Sequence, residues 1–346
     1  MKNSRLQFWR IVFTYVIAYY HLNNVYDRYT SGYIAVEFFF MLSGFLLAKK
    51  YFSLKEDSGE NGISAAAYTR QRYVRFFPHC FFSFLVAFAI NGIYRGFAAA
   101  DYLKGFVSHI PEVLLVHAAG LDYDASFLYN SVSWYLSALL ILGYFIWLAL
   151  RKLGKTYIEL LCPLSVLFIY PYLFRTYGQL GEHRETIGFF LNTALLRGLA
   201  DINLGMIAYL LSQKIGSCKK RSIAFLSDLC LIAGGLVLPC FVYRTSYDFL
   251  FAFLLFAGIV CAASCDPSLN RIFDNVWLDR WAMITLAIYL NHKIFRNAFK
   301  LFLPEGGISA YILWFVFITL YSVLSFMLIY RFIPKIFSLW RKKKAG

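Results

Sequence analysis

Acidic residues are scarce in this chain: 19 Asp and Glu stand against 34 Lys and Arg in 346 residues, and charge of both signs amounts to only 15%. So small a charged fraction, with 60% hydrophobic residues and a mean hydropathy of +0.58, excludes a soluble domain of this length. Cysteine is thinly spread. Cys80, Cys162, Cys218, Cys230, Cys240, Cys261 and Cys265 form no C-x-x-C pair, and most fall in apolar runs where the thiol behaves as a small hydrophobe. That pattern argues against a disulfide framework and against a metal site. Long polar linkers, low-complexity tracts and internal repeats are missing too, so one domain over residues 1–346 is expected, with no room for a second, soluble one. No small-residue cleavage site follows the first apolar run, and the first helix is expected to be retained.

What is present is a series of long hydrophobic runs. A bilayer core takes about 20 apolar residues per helix, and by that measure ten spans are predicted: 6–22, 33–52, 77–94, 131–150, 156–174, 188–212, 224–243, 249–264, 281–303 and 308–331. The fold class is therefore an all-α polytopic membrane protein with about ten helices in one bundle. A shorter run, FVSHIPEVLLVHAAGL (106–121), reads as an interfacial or re-entrant element. Even parity puts both termini on one side. The loops on that side carry 24 of the 34 Lys and Arg and the opposite loops 9, with Arg197 left inside a span. By the positive-inside rule both termini are expected to be cytoplasmic. Most of the basic excess then sets topology and meets membrane lipids rather than nucleic acid.

Charged and titratable groups at bilayer depth cost about 2.5 to 3.5 kcal/mol each on insertion scales, which makes them functional candidates. Arg10 and His21 lie eleven residues apart in the first span. At ~100° per residue they share one helix face with roughly 16 Å of axial separation, a cation near one boundary and an imidazole near the other. A snorkelling interfacial arginine and a histidine bonded at the outer edge fit the same spacing. Glu37 in the second span stands where a carboxylate could orient His21, or where an interfacial acid would sit, and Ser43-Gly44 after it allow close helix approach. Arg72 and Arg75, one turn apart before Pro78, present two guanidinium forks suited to a polyphosphate, though ordinary anchoring uses the same residues. Arg197 and Asp201, four apart in the sixth span, read as a self-paired ion pair. His292, about twelve residues into the ninth span, converges in depth on His21 or serves as a packing histidine. Tyr19, Tyr20, Tyr26, Tyr33 and Trp134 offer sugar-stacking faces, which interfacial belts also use.

Together these elements resemble the acyltransferase 3 family of integral membrane acyltransferases. Arginine, ten residues, then histidine in the first span is Arg10 and His21 here. FFFMLSGFLL resembles the family's FF-x-L-S-G-F-L block, R-x-x-R appears as Arg72 and Arg75, and IYLNH is similar to its Y-L-x-H element. Two positions depart from the pattern: Thr285-Leu286 replace the usual serine-tyrosine, and WYLSALLI stands where some members carry a Trp-Ser-Leu element with a downstream glutamate. The chain also ends at RKKKAG, without the esterase-like domain fused to some relatives.

The resemblance implies O-acyl transfer, usually acetyl from acetyl-CoA or another acyl-CoA, to a hydroxyl of a cell-surface or lipid-linked glycan in a bacterial-type inner or plasma membrane. It makes His21, Arg10 and Glu37 the catalytic group and Arg72 and Arg75 the donor-binding pair. His292, Ser43, Arg197, Asp201 and Trp134 become supporting or substrate residues, and no metal is implied. The rival from another class is a transporter or flippase for a lipid-linked saccharide, which would use ten helices with buried charges as a path. It predicts two symmetric halves with paired broken helices, and acyl-CoA-independent transport would identify it. A membrane assembly subunit, the third reading, predicts charges that pair only among themselves.

Overall fold

The computed structural model describes residues 3–58, 63–121, 128–187 and 191–332. The basic C-terminal run RKKKAG, which contributes to the charge asymmetry, lies outside them. Thirteen α-helices are described: α1 (Ser4–Val25), α2 (Ala35–Ser58), α3 (Ala65–Arg95), α4 (Ala99–Ser108), α5 (Ile110–Val113), α6 (Trp134–Leu153), α7 (Cys162–Tyr177), α8 (Thr193–Ile215), α9 (Arg221–Ile232), α10 (Tyr247–Ser264), α11 (Val276–Asn291), α12 (Arg296–Phe302) and α13 (Ile308–Met327). One two-residue hairpin, Thr186–Ile187 with Leu191–Asn192, precedes α8. Short π or 3-10 turns extend α2, α6, α7, α9 and α13 at one end or the other.

Eight of these elements are long and apolar enough to cross a membrane: the helices built on α2, α3, α6, α7, α8, α9, α10 and α13. The other two predicted spans correspond to α1 and α11. The first has the length but is diluted by Arg5, Arg10, His21 and its Asn, Gln and Tyr residues; the second has only 16 residues. These two helices pack against each other; α1 carries Arg10 and His21, and His292 caps the end of α11. At its start α1 is pinned by polar contacts. Arg5 pairs with Asp228 and donates to Asn270 (3.0 Å), and the Trp9 indole donates to Asp228 (3.0 Å).

Helices α2 and α8 approach most closely where each is glycine. A Cβ on Gly44 would overlap the Ile202 carbonyl oxygen, and one on Gly205 would overlap that of Met41. The Ser-Gly step of the FFFMLSGFLL block is thus a backbone-to-backbone contact of the kind that holds helices together in lipid. Helix α3 has 31 residues, about 46 Å at 1.5 Å per residue, well beyond a ~30 Å hydrocarbon core. It starts at a Ser64 cap accepting from Ala67 (3.1 Å) and runs through Pro78 without a break. Arg72 and Arg75 therefore ride on the N-terminal part of the spanning helix itself rather than preceding it.

Two further predicted spans have different limits. The sixth begins at Thr193, not 188, because Asn192 caps α8 by accepting from Ala194 (2.8 Å). The ninth does not reach 303. Helix α11 stops at Asn291, whose side chain accepts from Ser83 (2.7 Å) and donates to Ser325 (3.0 Å), and a polar turn leads into α12. The 106–121 run, expected to be interfacial or re-entrant, forms short helical pieces and no helix long enough to span. Its Glu112 is buried and caps the start of the next segment by accepting from the backbone of Tyr129 (3.0 Å) and Asn130 (2.6 Å).

Candidate active site

Two cavities of similar size lie within the helices at different depths along α1. The first, about 350 Å³, is lined by Arg10 and Thr14 of α1, Phe39 and Ser43 of α2, Arg72, Arg75 and His79 of α3, Tyr135 of α6 and Thr285 of α11. Phe76, Leu136, Leu139, Met283, Leu286 and Phe326 complete its apolar walls. Arg10 donates to the Ala282 carbonyl, while its Nε has no partner among the described residues. Arg72 donates to the Tyr68 hydroxyl and lies over the Tyr68 and Phe76 rings at 5.6 and 5.7 Å. Ser43 and Tyr135 share a hydrogen bond of 3.3 Å.

The second cavity, about 340 Å³, contains His21. Around it stand Tyr20, Asn24, Tyr33, Ser131, Trp134, Glu182, His183, Arg184, Arg197, Arg244, Lys293 and Arg296. The imidazole of His21 is fixed through Nδ1, which lies 3.0 Å from the Ile17 carbonyl and 3.0 Å from His292 Nε2. A carbonyl only accepts, so Nδ1 carries the proton of neutral His21, and His292 Nε2 must accept as well. The unprotonated nitrogen of His21 is then Nε2, which makes no hydrogen bond among the described residues. This is the tautomer a general base needs. His292 is fully buried and its ring centroid lies 4.8 Å from that of His21.

Tyr289 lines both cavities. It is buried, donates to the Val132 carbonyl (2.9 Å), and packs its ring against Tyr135, Phe39 and His292 with centroids 5.7, 6.5 and 5.9 Å away. It forms the shared wall.

This geometry coincides with a sequence match. A profile of the acyltransferase domain family Acyl_transf_3 covers residues 3–331. The chain belongs to the acyltransferase 3 family. No curated protein and no solved structure matches it. As a member of the acyltransferase 3 family it is a multi-pass membrane acyltransferase.

The acyltransferase 3 motifs are distributed between the two cavities. Arg10, Ser43, Arg72 and Arg75 meet at the first; His21 and Trp134 stand at the second, with His292 behind His21. Two pairings expected from spacing are corrected. Glu37 does not orient His21: fully buried, it forms an ion pair with Arg197, whose Nε donates to Glu37 Oε1 (2.6 Å). Arg197 in turn does not pair with Asp201. The carboxyl of Asp201 accepts from the Tyr170 hydroxyl (2.5 Å) and lies beside Glu37. A buried guanidinium needs a carboxylate partner, and here Glu37 of α2 supplies it while Asp201 accepts from Tyr170. Arg197 also lies under the Trp134 ring at 5.4 Å, and Trp134 stacks on His183 with centroids 4.6 Å apart. Arg197 lines the second cavity, with Glu37 bonded behind it.

His292 is also displaced from its expected position, standing at the end of α11 rather than inside a helix. Of the five aromatic candidates, Tyr20, Tyr33 and Trp134 line the second cavity. Tyr19 packs on Tyr311, and Tyr26 donates to the Leu303 carbonyl (2.7 Å). Sequence reasoning missed Tyr289, although it is the tyrosine of Y-L-x-H, and it missed Tyr135, His79, His183, Arg184, Lys293 and Arg296. The last four come from loops or helix ends, where no periodicity marks a facing direction.

Proposed function

We propose that this acyltransferase moves an acyl group, most simply acetyl, from cytoplasmic acyl-CoA to a hydroxyl of a cell-surface or lipid-linked glycan in a bacterial-type inner or plasma membrane. The observation that carries the reading is the pair of cavities sharing Tyr289, three arginines in one and an accessible His21 Nε2 in the other. Arg72 and Arg75 hold CoA phosphates at the basic, cytoplasmic end of the bundle, where charge-assisted forks suit polyphosphate. The pantetheine arm extends along the apolar wall, with Arg10 toward the thioester carbonyl, where charge develops in the transition state.

The acceptor hydroxyl enters from the opposite side and reaches His21. His21 Nε2 takes the hydroxyl proton as the oxygen attacks the thioester carbonyl; the C–S bond breaks, and the departing CoA thiolate takes up the proton. Transfer of acyl first to His21 Nε2 and then to the hydroxyl uses the same atoms in two steps. His292, by accepting from Nδ1–H, keeps the ring in the working tautomer. Both termini are cytoplasmic in this reading, which follows from the basic-residue asymmetry.

The test is His21→Ala in cells whose surface glycans are compared by mass spectrometry. General base catalysis is worth about 10²- to 10⁴-fold, so glycan acylation should fall to background while the protein stays membrane-inserted and folded. Retained acylation overturns the assignment, and transport of saccharide without acyl-CoA would favour the flippase alternative.

A further inference from the structure

The loops with few basic residues hold nine Lys and Arg, and four of those nine, Arg184, Arg244, Lys293 and Arg296, line a single cavity. Topology has no use for cations on that side, so a signal that membrane insertion selects against has been concentrated in one place. None of the four has a carboxylate within ion-pair distance among the described residues. Among the described residues Glu182 is the one acidic residue lining the cavity, and its Oε1 is occupied in its own turn by the backbone N–H groups of His183 (3.0 Å) and Arg184 (3.1 Å). The fifth cation there, Arg197, already has Glu37.

Arg184, Lys293 and Arg296 lie close enough to repel one another, and Lys293 and Arg296 also act on His21. Among the described residues Lys293 donates to the Ser131 hydroxyl. Arg184 and Arg244 reach solvent at the rim, while Lys293 and Arg296 are half-buried; like charges gathered around one cavity without counter-charge raise the energy of the empty protein and favour an anion there. The volume, about 340 Å³, falls in the ~300 to 1,000 Å³ range of small-molecule sites. Tyr20, Tyr33 and Trp134 add aromatic surface to the same walls.

We propose that the His21 cavity takes an anionic acceptor, a saccharide whose carboxylate or phosphate group sits against Arg184, Lys293 and Arg296 beside the hydroxyl presented to His21. The proposal rests on the donor and acceptor assignment above. A neutral sugar would leave the three cations uncompensated, so selection against neutral glycans is built into the cavity.

The experiment uses purified protein in nanodiscs of zwitterionic lipid and follows thermal unfolding with glucuronic acid, glucose 1-phosphate, glucose and CoA as separate probes. A ligand that binds the folded state raises Tm with concentration. Both acid sugars should stabilise the wild type while glucose does not, and raising salt should weaken the effect. Lys293→Gln with Arg296→Gln should reduce apparent affinity for the acid sugars by about tenfold or more and leave CoA stabilisation intact. Arg72→Gln with Arg75→Gln should do the reverse. Glucuronic acid and glucose 1-phosphate together tell a carboxylate-selective site from a phosphate-selective one.

Equal stabilisation by glucose, or acid-sugar binding indifferent to the Lys293 and Arg296 substitutions, overturns the proposal. If CoA behaves as assigned and acid sugars do not bind, the anionic acceptor alone falls. If CoA stabilisation is lost with Lys293 and Arg296 instead, those cations serve the donor, and the donor assignment falls with it. Should the double variant fail to fold, the wild-type preference for acid sugars over glucose decides by itself.

Discussion

The two cavities are nearly equal in volume and both contain cations, yet they are built in opposite ways. The first is made from mid-helix positions: Arg10 on α1, Ser43 on α2, Arg72 and Arg75 on α3, set into a wall of Phe, Leu and Met. The second takes most of its charge from helix ends and loops: Lys293 after α11, Arg296 at the start of α12, His183 and Arg184 between α7 and α8, Arg244 before α10. A helix face is rigid and narrow and suits a long, flexible ligand that must be threaded in one direction. Loops and helix ends bring charges together from several directions, which suits a compact polar ligand. The difference supports the proposed split between donor and acceptor more than any single residue does.

The sharpest way to break that comparison is to remove the arginine fork. Arg72→Gln with Arg75→Gln deletes two charge-assisted contacts to phosphate, each worth about 1.5 to 3 kcal/mol. The expected result is a rise of about a hundredfold or more in KM for acyl-CoA, with kcat at saturation changed far less, measured on membranes with labelled donor. If kcat collapses and KM holds, the fork acts on the transition state and the first cavity is not merely a donor clamp.

A smaller effect tests the wall between the cavities. Tyr289→Phe keeps the ring packing against Tyr135 and Phe39 and loses one hydrogen bond to Val132, worth about 1 kcal/mol, so transfer should remain within several-fold of wild type. Tyr289→Ala joins the two spaces. Water then reaches the thioester, and acyl-CoA hydrolysis without acceptor should rise several-fold while transfer falls. An alanine variant that transfers normally with no added hydrolysis would mean the cavities are separated elsewhere.

The same contrast explains how much could be read from the sequence. Helix-borne features were legible because regular geometry converts spacing into direction. Eleven residues put Arg10 and His21 on one face, and three put Arg72 beside Arg75; all four point into cavities. The ten hydrophobic runs found their helices, although the helix containing Arg10 and His21 is among the least apolar of them. Pairings between helices were not legible. Glu37 and Arg197 lie 160 positions apart, and only packing of α2 on α8 through Gly44 and Gly205 brings them together, so the nearer Asp201 was the natural but wrong partner. The break after Asn291 was hidden for a similar reason. Its cause is a set of hydrogen bonds to Ser83 and Ser325 on two other helices, while the local run TLAIYLNHKIF reads as continuous.

The smallest predicted effect separates the cavities by pH. His183 lies in the loop between α7 and α8, stacked on Trp134 with its Nδ1 3.1 Å from the Gly181 carbonyl, and burial holds its pKa down to about 3. An unfolded histidine titrates near 6.5. At pH 7 both states are neutral and His183 contributes no pH-dependent stability. As pH falls below about 6.5 the unfolded chain takes up a proton that the folded loop refuses, so stability is lost progressively down to about 3. Acidification from pH 7 to pH 5 should therefore lower Tm, and His183→Gln should flatten part of that slope while leaving CoA stabilisation unchanged, because the arginines proposed to hold CoA line the other cavity. His117, outside the spans and held to about 4 by burial, behaves in the same sense, and His117→Gln measures its share. If the slopes of wild type and His183→Gln coincide, the loop does not stay closed over His183, and the acceptor cavity is open to solvent at that edge.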